Sequence, residues 1–150
     1  MVRTRCWLVS AIVGWGALGW CAGARAEQAG AGIPRDRLGV SRGICVVVNH
    51  DPSVIELARR TELTLFVQVS SPEQYAAACK AAEAAGLLGR RIFVAQSLPL
   101  RIGLADNVAD AAAVLGQPAT LTKREVLRVL RPQGKAVVGQ ETWVKPWPEG

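Results

Sequence analysis

The sequence predicts an α/β fold, a three-layer sandwich in which helices cover both faces of a mostly parallel β-sheet. Short apolar runs rich in β-branched residues alternate along the chain with helix-forming stretches. Each strand-helix-strand unit of this kind implies a parallel pair of strands joined by a right-handed crossover. Ligands bind to such sheets beyond the carboxyl ends of the strands.

The first predicted strand ends in a polar turn at the start of a helix. Residues 43–48 form a continuous apolar run, as a strand buried on both faces requires. The turn Asn49-His50-Asp51 follows, and Asp51 is suited to cap a helix that has Pro52 at its first position and runs to about Arg60. The stretch ELTLFVQV, residues 62–69, predicts the second strand.

Two capping boxes mark the next helices. Ser71-Pro72-Glu73-Gln74 opens an alanine-rich helix that ends at Gly86, and Thr122-Lys123-Arg124-Glu125 opens a later helix. The third strand is predicted over residues 91–95. Residues 106–115 are rich in alanine, which favours a helix, but their position between a strand and a capped helix favours a strand, which we predict.

The last predicted element is a single strand over residues 136–144, after the helix stop Arg131-Pro132-Gln133-Gly134. A strand at the end of the chain has an unpaired edge, and long apolar edges invite pairing with another chain. We therefore expect a protein partner that covers residues 136–144, or poor solubility.

The first 26 residues predict an export signal. Arg3 and Arg5 precede an uncharged, mostly apolar run, and Ala24-Arg25-Ala26 is typical of a cleavage site, so residues 1–26 would be removed. The alternative is a membrane anchor, for which the run is short. We expect an exported protein of the periplasm or extracellular space, with membrane contact only through an uncleaved signal. Residues 27–42, rich in Gly, Ala and Arg, predict a linker.

Charge and composition exclude several classes of ligand. Loss of Arg3, Arg5 and Arg25 with the signal lowers the formal charge from +6 to +3, which is too weak to predict a nucleic-acid partner. We predict no metal site, because the lone His50 has no Cys or His partner nearby. Cys45 and Cys79 predict packed free thiols, with a disulfide as the alternative.

Three stretches together resemble a class I S-adenosylmethionine-dependent methyltransferase domain. They are the strand and turn at residues 44–53, the segment SLPLRIGLADNVADAAAV, and above all EVLRVLRPQGKAVV, a helix followed by R-P-x-G and a strand. The resemblance covers residues 43–143 and implies a Rossmann-like fold. The family's sheet ends in an antiparallel hairpin, which we expect to be incomplete here.

The tail gives a narrower resemblance. VKPWP, within the Pro/Trp tail at residues 144–150, is similar to the front of large exported bacterial proteins. In those proteins a degenerate methyltransferase-like segment precedes a β-propeller that binds pyrroloquinoline quinone. The resemblance implies either a truncated product of such a gene or a front part that stands alone. Trp143 and Trp147 are expected to pack against an edge or a partner.

The resemblance also assigns the cofactor site, in degenerate form. The family's three turn glycines correspond to Asn49, Asp51 and Ser53, with His50 between them, and the acid that holds the ribose hydroxyls corresponds to Val69. These replacements imply no cofactor and an inactive scaffold or docking module without catalytic residues. The alternatives are an active methyltransferase with an atypical S-adenosyl-L-methionine site and, more distantly, a nicotinamide-dependent dehydrogenase. Asn and Asp are also ordinary turn residues, so the turn has a purely structural interpretation as well.

Overall fold

A computed structural model of the chain describes residues 32–98, 100–116 and 121–148. Six strands form one sheet in the order β3-β2-β1-β4-β5-β6. All neighbours are parallel except β5 and β6, which are antiparallel. The strands are β1 (Arg42–Val48), β2 (Glu62–Val69), β3 (Ile92–Gln96), β4 (Ala109–Val114), β5 (Leu130–Val138) and β6 (Glu141–Val144). The predicted α/β sandwich with a mostly parallel sheet is therefore confirmed.

The described helices cover both faces of the sheet. They are α1 (Arg35–Leu38), α2 (Ser53–Arg60), α3 (Pro72–Ala84) and α4 (Lys123–Val129). Buried residues of α1, α2 and α3 share one core cluster, and those of α4 belong to the other. Both predicted N-caps are formed, because Ser71 Oγ and Thr122 Oγ1 accept from the backbone N–H groups of Gln74 and Glu125. The return bond of a full capping box is not made in the described part of the chain, because Gln74 Oε1 has no partner and the Glu125 carboxylate accepts from Ile102 and Arg128 instead.

The central strand β1 is buried on both faces, as its apolar run predicted. Cys45 and Val47 face the cluster with α2, whereas Val46 and Val48 face the cluster with α4. β4 confirms the choice of a strand for the alanine-rich segment, since Ala111 to Ala113 lie in the sheet between β1 and β5. Cys45 and Cys79 are both free thiols.

The expectation of one final strand over residues 136–144 is wrong. Gly139 and Gln140 form a two-residue turn between β5 and β6, and Gly139 has a φ of +56°, which a tight hairpin turn requires. β5 is therefore an interior strand, and the outer edge is the four-residue β6. A protein partner was expected because one exposed edge strand was predicted over residues 136–144, and that reason no longer holds for β5. The partner itself stays a prediction.

The expected linker is wrong from residue 33 onwards. Ile33 and Leu38 are buried in the core cluster that contains α2, and Arg42 already belongs to β1. Arg37 also donates to Gly139 O and Thr142 Oγ1 of the hairpin. The sequence suggested a linker because residues 27–42 are rich in Gly, Ala and Arg and contain few apolar side chains. Two buried side chains, Ile33 and Leu38, are nevertheless enough to hold this short segment against the sheet. The predicted signal, residues 1–26, lies outside the described residues, among which no helix is long and apolar enough to span a membrane.

Candidate functional site

The candidate site lies at the carboxyl ends of the parallel strands. The chain passes from β1 to β2 on one side and later crosses to β4 on the other, so the strand order reverses between β1 and β4. Sheets of this kind bind ligands in the crevice at that reversal. The turn that follows β1, residues 49–52, stands at this position.

Asn49 closes the crevice between β1 and β4. Its side-chain Nδ2 donates to Leu115 O at 2.6 Å, and its backbone N–H donates to Gln68 O at 2.8 Å. Its φ of +72° lies in the left-handed region, which Asn tolerates better than most residues with a Cβ. Asn49 therefore binds the ends of β1, β2 and β4 together, and its amide is directed to the protein.

Asp51 and Ser53 also use their polar groups inside the protein. Asp51 Oδ1 accepts from Ser53 N–H at 2.8 Å, and Ser53 Oγ accepts from Ile33 N–H at 3.2 Å. The N–H groups of Val54 and Ile55 donate to the backbone carbonyls of Asp51 and Pro52. The donors at the start of α2 are thus already used. A carboxylate of a ligand would also meet the charge of Asp51.

Val69 lies at the end of β2, but its side chain packs in the core cluster that contains α2. It is 1% exposed, so it is not directed to the ligand edge. The exposed Ser70 is the first residue beyond it on that edge. Of the five positions assigned by resemblance, Val69 thus lies in the core, and the other four lie in the turn at the crevice or at the start of α2. Their role in binding stays a prediction.

Three polar atoms on this edge are buried without a hydrogen-bond partner among the described residues. They are Nδ1 of His50, Oε1 of Gln74 and Oγ of Ser97. These residues follow β1, β2 and β3, which are neighbours in the sheet and end on the same side. A buried polar atom without a partner costs about 1–3 kcal/mol. The resemblance already placed Ser97 near the end of the third strand, where the family often has an acid at the adenine. Gln74 was missed as a site residue, because only the sheet order puts the start of its helix at the same edge as His50.

Burial sets the electrostatics of His50. Desolvation lowers the pKa of its imidazole below 6.5, and the nearby Asp51 carboxylate opposes that shift. The ring is therefore biased towards its neutral form, which has one donor and one acceptor nitrogen.

The loop after β3 is held against β2 by a buried glutamine that the sequence interpretation did not single out. Gln68 is 2% exposed, its Nε2 donates to Arg101 O, and its Oε1 accepts from Gly103 N–H, both at 2.8 Å. A glutamine inside an apolar strand was the signal. Glu125 Oε1 also accepts from Ile102 N–H at 2.9 Å. The loop that borders the site is thus fastened from two elements.

A cleft of about 440 Å³ opens beside the ends of β4 and β5. Its lining is largely apolar and includes Val114, Leu121, Val126 and Trp143. Trp143 Nε1 donates to Glu141 Oε2 at 2.7 Å, so the indole is held by its own hairpin. Gly116 lines this cleft and lies next to the Asn49 amide. The cleft therefore adjoins the crevice. Within the described ranges, no group of His, Cys, Asp or Glu is placed to hold a metal ion.

No protein-family model matches the sequence, and neither does any curated protein. Solved structures are similar to it. A putative S-adenosyl-L-methionine-dependent methyltransferase from Methanococcus maripaludis matches 67% of this chain at 26% identity, with a TM-score of 0.60. The geranyl diphosphate C-methyltransferase of Streptomyces coelicolor, in complex with Mg²⁺, geranyl diphosphate and S-adenosyl-L-homocysteine, matches 67% at 14% identity and a TM-score of 0.60. The cyclase SpnF matches 67% at 24% identity and a TM-score of 0.60.

This chain spans 49%, 40% and 40% of the lengths of those three proteins. The neighbours confirm that the domain has a Rossmann-like fold similar to that of methyltransferases. They say nothing of a β-propeller after the domain, which stays a prediction. The expectation of no cofactor is overturned, since the neighbours include proteins named as S-adenosyl-L-methionine-dependent and a complex with S-adenosyl-L-homocysteine. The expectation was drawn from side chains that replace the family's binding residues, and such replacements do not by themselves exclude a cofactor.

Proposed function

We propose that this chain is an exported methyltransferase-like domain that binds the adenosine part of an adenosyl ligand and does not catalyse methyl transfer. The observation that carries the proposal is the set of buried, unpartnered atoms on His50, Gln74 and Ser97 at the ends of three adjacent strands. The three residues are only partly buried, so their side chains can turn towards a ligand at this edge. An adenosine has ring nitrogens, an amino group and two ribose hydroxyls with which the turned side chains can form hydrogen bonds.

The absence of catalysis is proposed from the other half of the site. A methyl donor carries an amino acid, and its carboxylate would be bound by free N–H groups at a helix start. At the start of α2 the Asp51 carboxylate already accepts from Ser53 N–H. We therefore expect the amino-acid end of the ligand to gain little affinity. A protein that does not hold this end cannot orient the methyl group for transfer.

The proposal of export depends only on the predicted signal at residues 1–26. The proposal that the domain stands in front of a β-propeller depends only on the VKPWP tail. In such a protein the domain would act as a docking module. The cyclase among the neighbours illustrates that one fold supports different chemistries.

The second candidate is an active methyltransferase with an atypical site. It is favoured by the 26% identity to a putative S-adenosyl-L-methionine-dependent methyltransferase and by the apolar cleft of about 440 Å³ next to the crevice, which offers room for a methyl acceptor.

Isothermal titration with two ligands tests the proposal. 5′-Methylthioadenosine lacks the amino acid that S-adenosyl-L-homocysteine carries, so we expect the two dissociation constants to agree within about threefold. Hydrogen exchange should slow at residues 48–54, 70–75 and 96–98 when either ligand is bound. No binding of either ligand would contradict the proposal. Much tighter binding of S-adenosyl-L-homocysteine, together with measurable methyl transfer from S-adenosyl-L-methionine, would favour the second candidate.

The variant Asp51→Asn separates the two halves of the site. Loss of the carboxylate should raise the affinity for S-adenosyl-L-homocysteine and leave that for 5′-methylthioadenosine unchanged. Glu56→Gln is the matched control, because it removes an equal charge from the helix that follows Asp51, at an exposed position paired with Arg60. An equal effect of both substitutions on both ligands would refute the assignment of Asp51.

A further inference from the structure

A basic, open cavity lies at the amino ends of the strands, whereas the candidate site lies at their carboxyl ends. Its volume is about 560 Å³, and its lining includes Arg42, Arg59, Arg60, Arg91 and Glu62. The sequence separates these arginines into three short stretches, each of which is ordinary by itself. The parallel pairing of β1 with β2 and the turn before β3 bring them together.

The charges of the cavity are incompletely neutralised. Arg59 makes no ion pair within the described part of the chain. The Arg42–Glu62 pair is long, at 4.0 Å, and its side chains are 84% and 79% exposed, so it holds neither group firmly. Among the lining residues, Glu62 is the sole carboxylate. Arg60 pairs with Glu56 outside the lining.

Arg91 supplies a guanidinium in a fixed orientation. Its Nε and Nη2 donate to Leu63 O at 3.2 and 2.8 Å, and Nη2 also donates to Thr61 O. These partners are carbonyls, which orient the group without cancelling its charge. A helix C-terminus favours basic residues and accounts for Arg59 and Arg60. It does not account for Arg42 and Arg91, which come from other elements.

We infer that this cavity binds a phosphate group, carried by a small phosphorylated molecule or by an anionic lipid. Guanidinium groups form paired, charge-assisted hydrogen bonds with phosphate oxygens, and several of them around a concave surface suit an anionic phosphate group. The inference is independent of the proposed function, because the cavity lies at the other end of the strands.

Titration of the full chain with sodium pyrophosphate, and sedimentation with vesicles that contain phosphatidylglycerol, distinguish the two sources. Saturable binding of pyrophosphate identifies a small phosphorylated ligand, and binding of the vesicles alone identifies a lipid headgroup. In whichever assay shows binding, Arg59→Gln and Arg42→Gln should each weaken it about tenfold. Glu62→Gln should strengthen it, because it removes the carboxylate of the lining.

Arg90→Gln is the matched control. Arg90 adjoins Arg91 in the chain, is exposed and does not line the cavity, so its substitution removes the same charge from the protein and should change binding less than about twofold. Binding of neither probe would overturn the inference. So would an effect of Arg90→Gln as large as that of Arg59→Gln, which would show a response to net charge alone.

Discussion

Arg128 fastens the loop that borders the candidate site, and its replacement by Met should destabilise the domain strongly. Its Nη1 and Nη2 donate to Leu104 O and Ile102 O, both at 3.0 Å, and its Nε and Nη2 donate to the Glu125 carboxylate at 2.9 and 2.7 Å. Nη1 also pairs with Asp106. Met preserves most of the aliphatic stem and removes all of these donors.

The magnitude follows from the burial of the Arg128–Glu125 pair. The side chains are 19% and 15% exposed. Removal of one partner from a buried pair costs about 3–5 kcal/mol, because the other charge is left uncompensated. Since this pair retains some contact with water, we expect about 3 kcal/mol. In a domain of this size each kcal/mol lowers Tm by about 4 °C, so Tm should fall by about 12 °C.

Urea denaturation and calorimetry measure the loss, and hydrogen exchange locates it. Amides of residues 101–107 should exchange faster in Arg128→Met, because both of the loop's carbonyl contacts with the guanidinium are lost. Arg124→Met is the control, since Arg124 lies on the same helix, is exposed and forms no ion pair in the described ranges. If Arg128→Met loses no more stability than Arg124→Met, the loop is held by other contacts and the reasoning fails.

Three further predictions concern single groups. The pKa of His50, followed by NMR, should lie below 6.5, and Asp51→Asn should lower it further because the carboxylate raises it; a pKa above 6.5 would contradict the burial of the ring. The hydrogen bond from Arg128 is the chief cause that lowers the pKa of Glu125. The ionised Glu125 carboxylate should therefore stabilise the folded domain above about pH 4.5, and this contribution should disappear as pH falls through the folded-state pKa. Urea titrations of Glu125→Gln should lack this pH dependence. Gly43→Ala should cost about 3 kcal/mol in denaturant, because φ is +106° and the added Cβ would lie 2.2 Å from Asp110 Oδ2, whereas Gly89→Ala, with nothing within 4 Å, should cost about 1 kcal/mol; equal losses would remove the steric explanation.

The hydrophobic pattern of the sequence was sufficient for the central sheet. A continuous apolar run predicted the first strand at residues 43–48, and β-branched and aromatic residues predicted the second at 62–69. The observed bounds of β1 and β2 agree with these predictions within one residue. The hairpin was missed although a two-residue turn with Gly first is a known signal. The apolar residues on either side of Gly139 read as one strand, and the turn was overlooked.

The chemistry of the site was less predictable, because it depends on contacts between distant residues. The sequence placed Asn49, Asp51 and Ser53 in one turn, but the partner of the Asn49 amide lies 66 residues further along the chain. That Val69 faces the core follows from the alternation along β2, which could have been applied. The grouping of His50 with Gln74 and Ser97 requires the strand order, which no local pattern contains.

The unpartnered atoms of the candidate site also allow a test that needs no ligand at all. Selection for stability alone would remove a buried hydroxyl that has no partner, since Ser97→Ala eliminates its desolvation cost and leaves the backbone bond from Ser97 N–H to Val69 O intact. If the hydroxyl is retained for binding, Ser97→Ala should stabilise the ligand-free domain by about 1 kcal/mol and weaken its affinity for 5′-methylthioadenosine. Ser70→Ala is the control, because Ser70 is exposed on the same edge and should change neither quantity by as much. A loss of stability in Ser97→Ala would mean that the hydroxyl has a structural partner, and Ser97 would no longer count as part of the ligand edge.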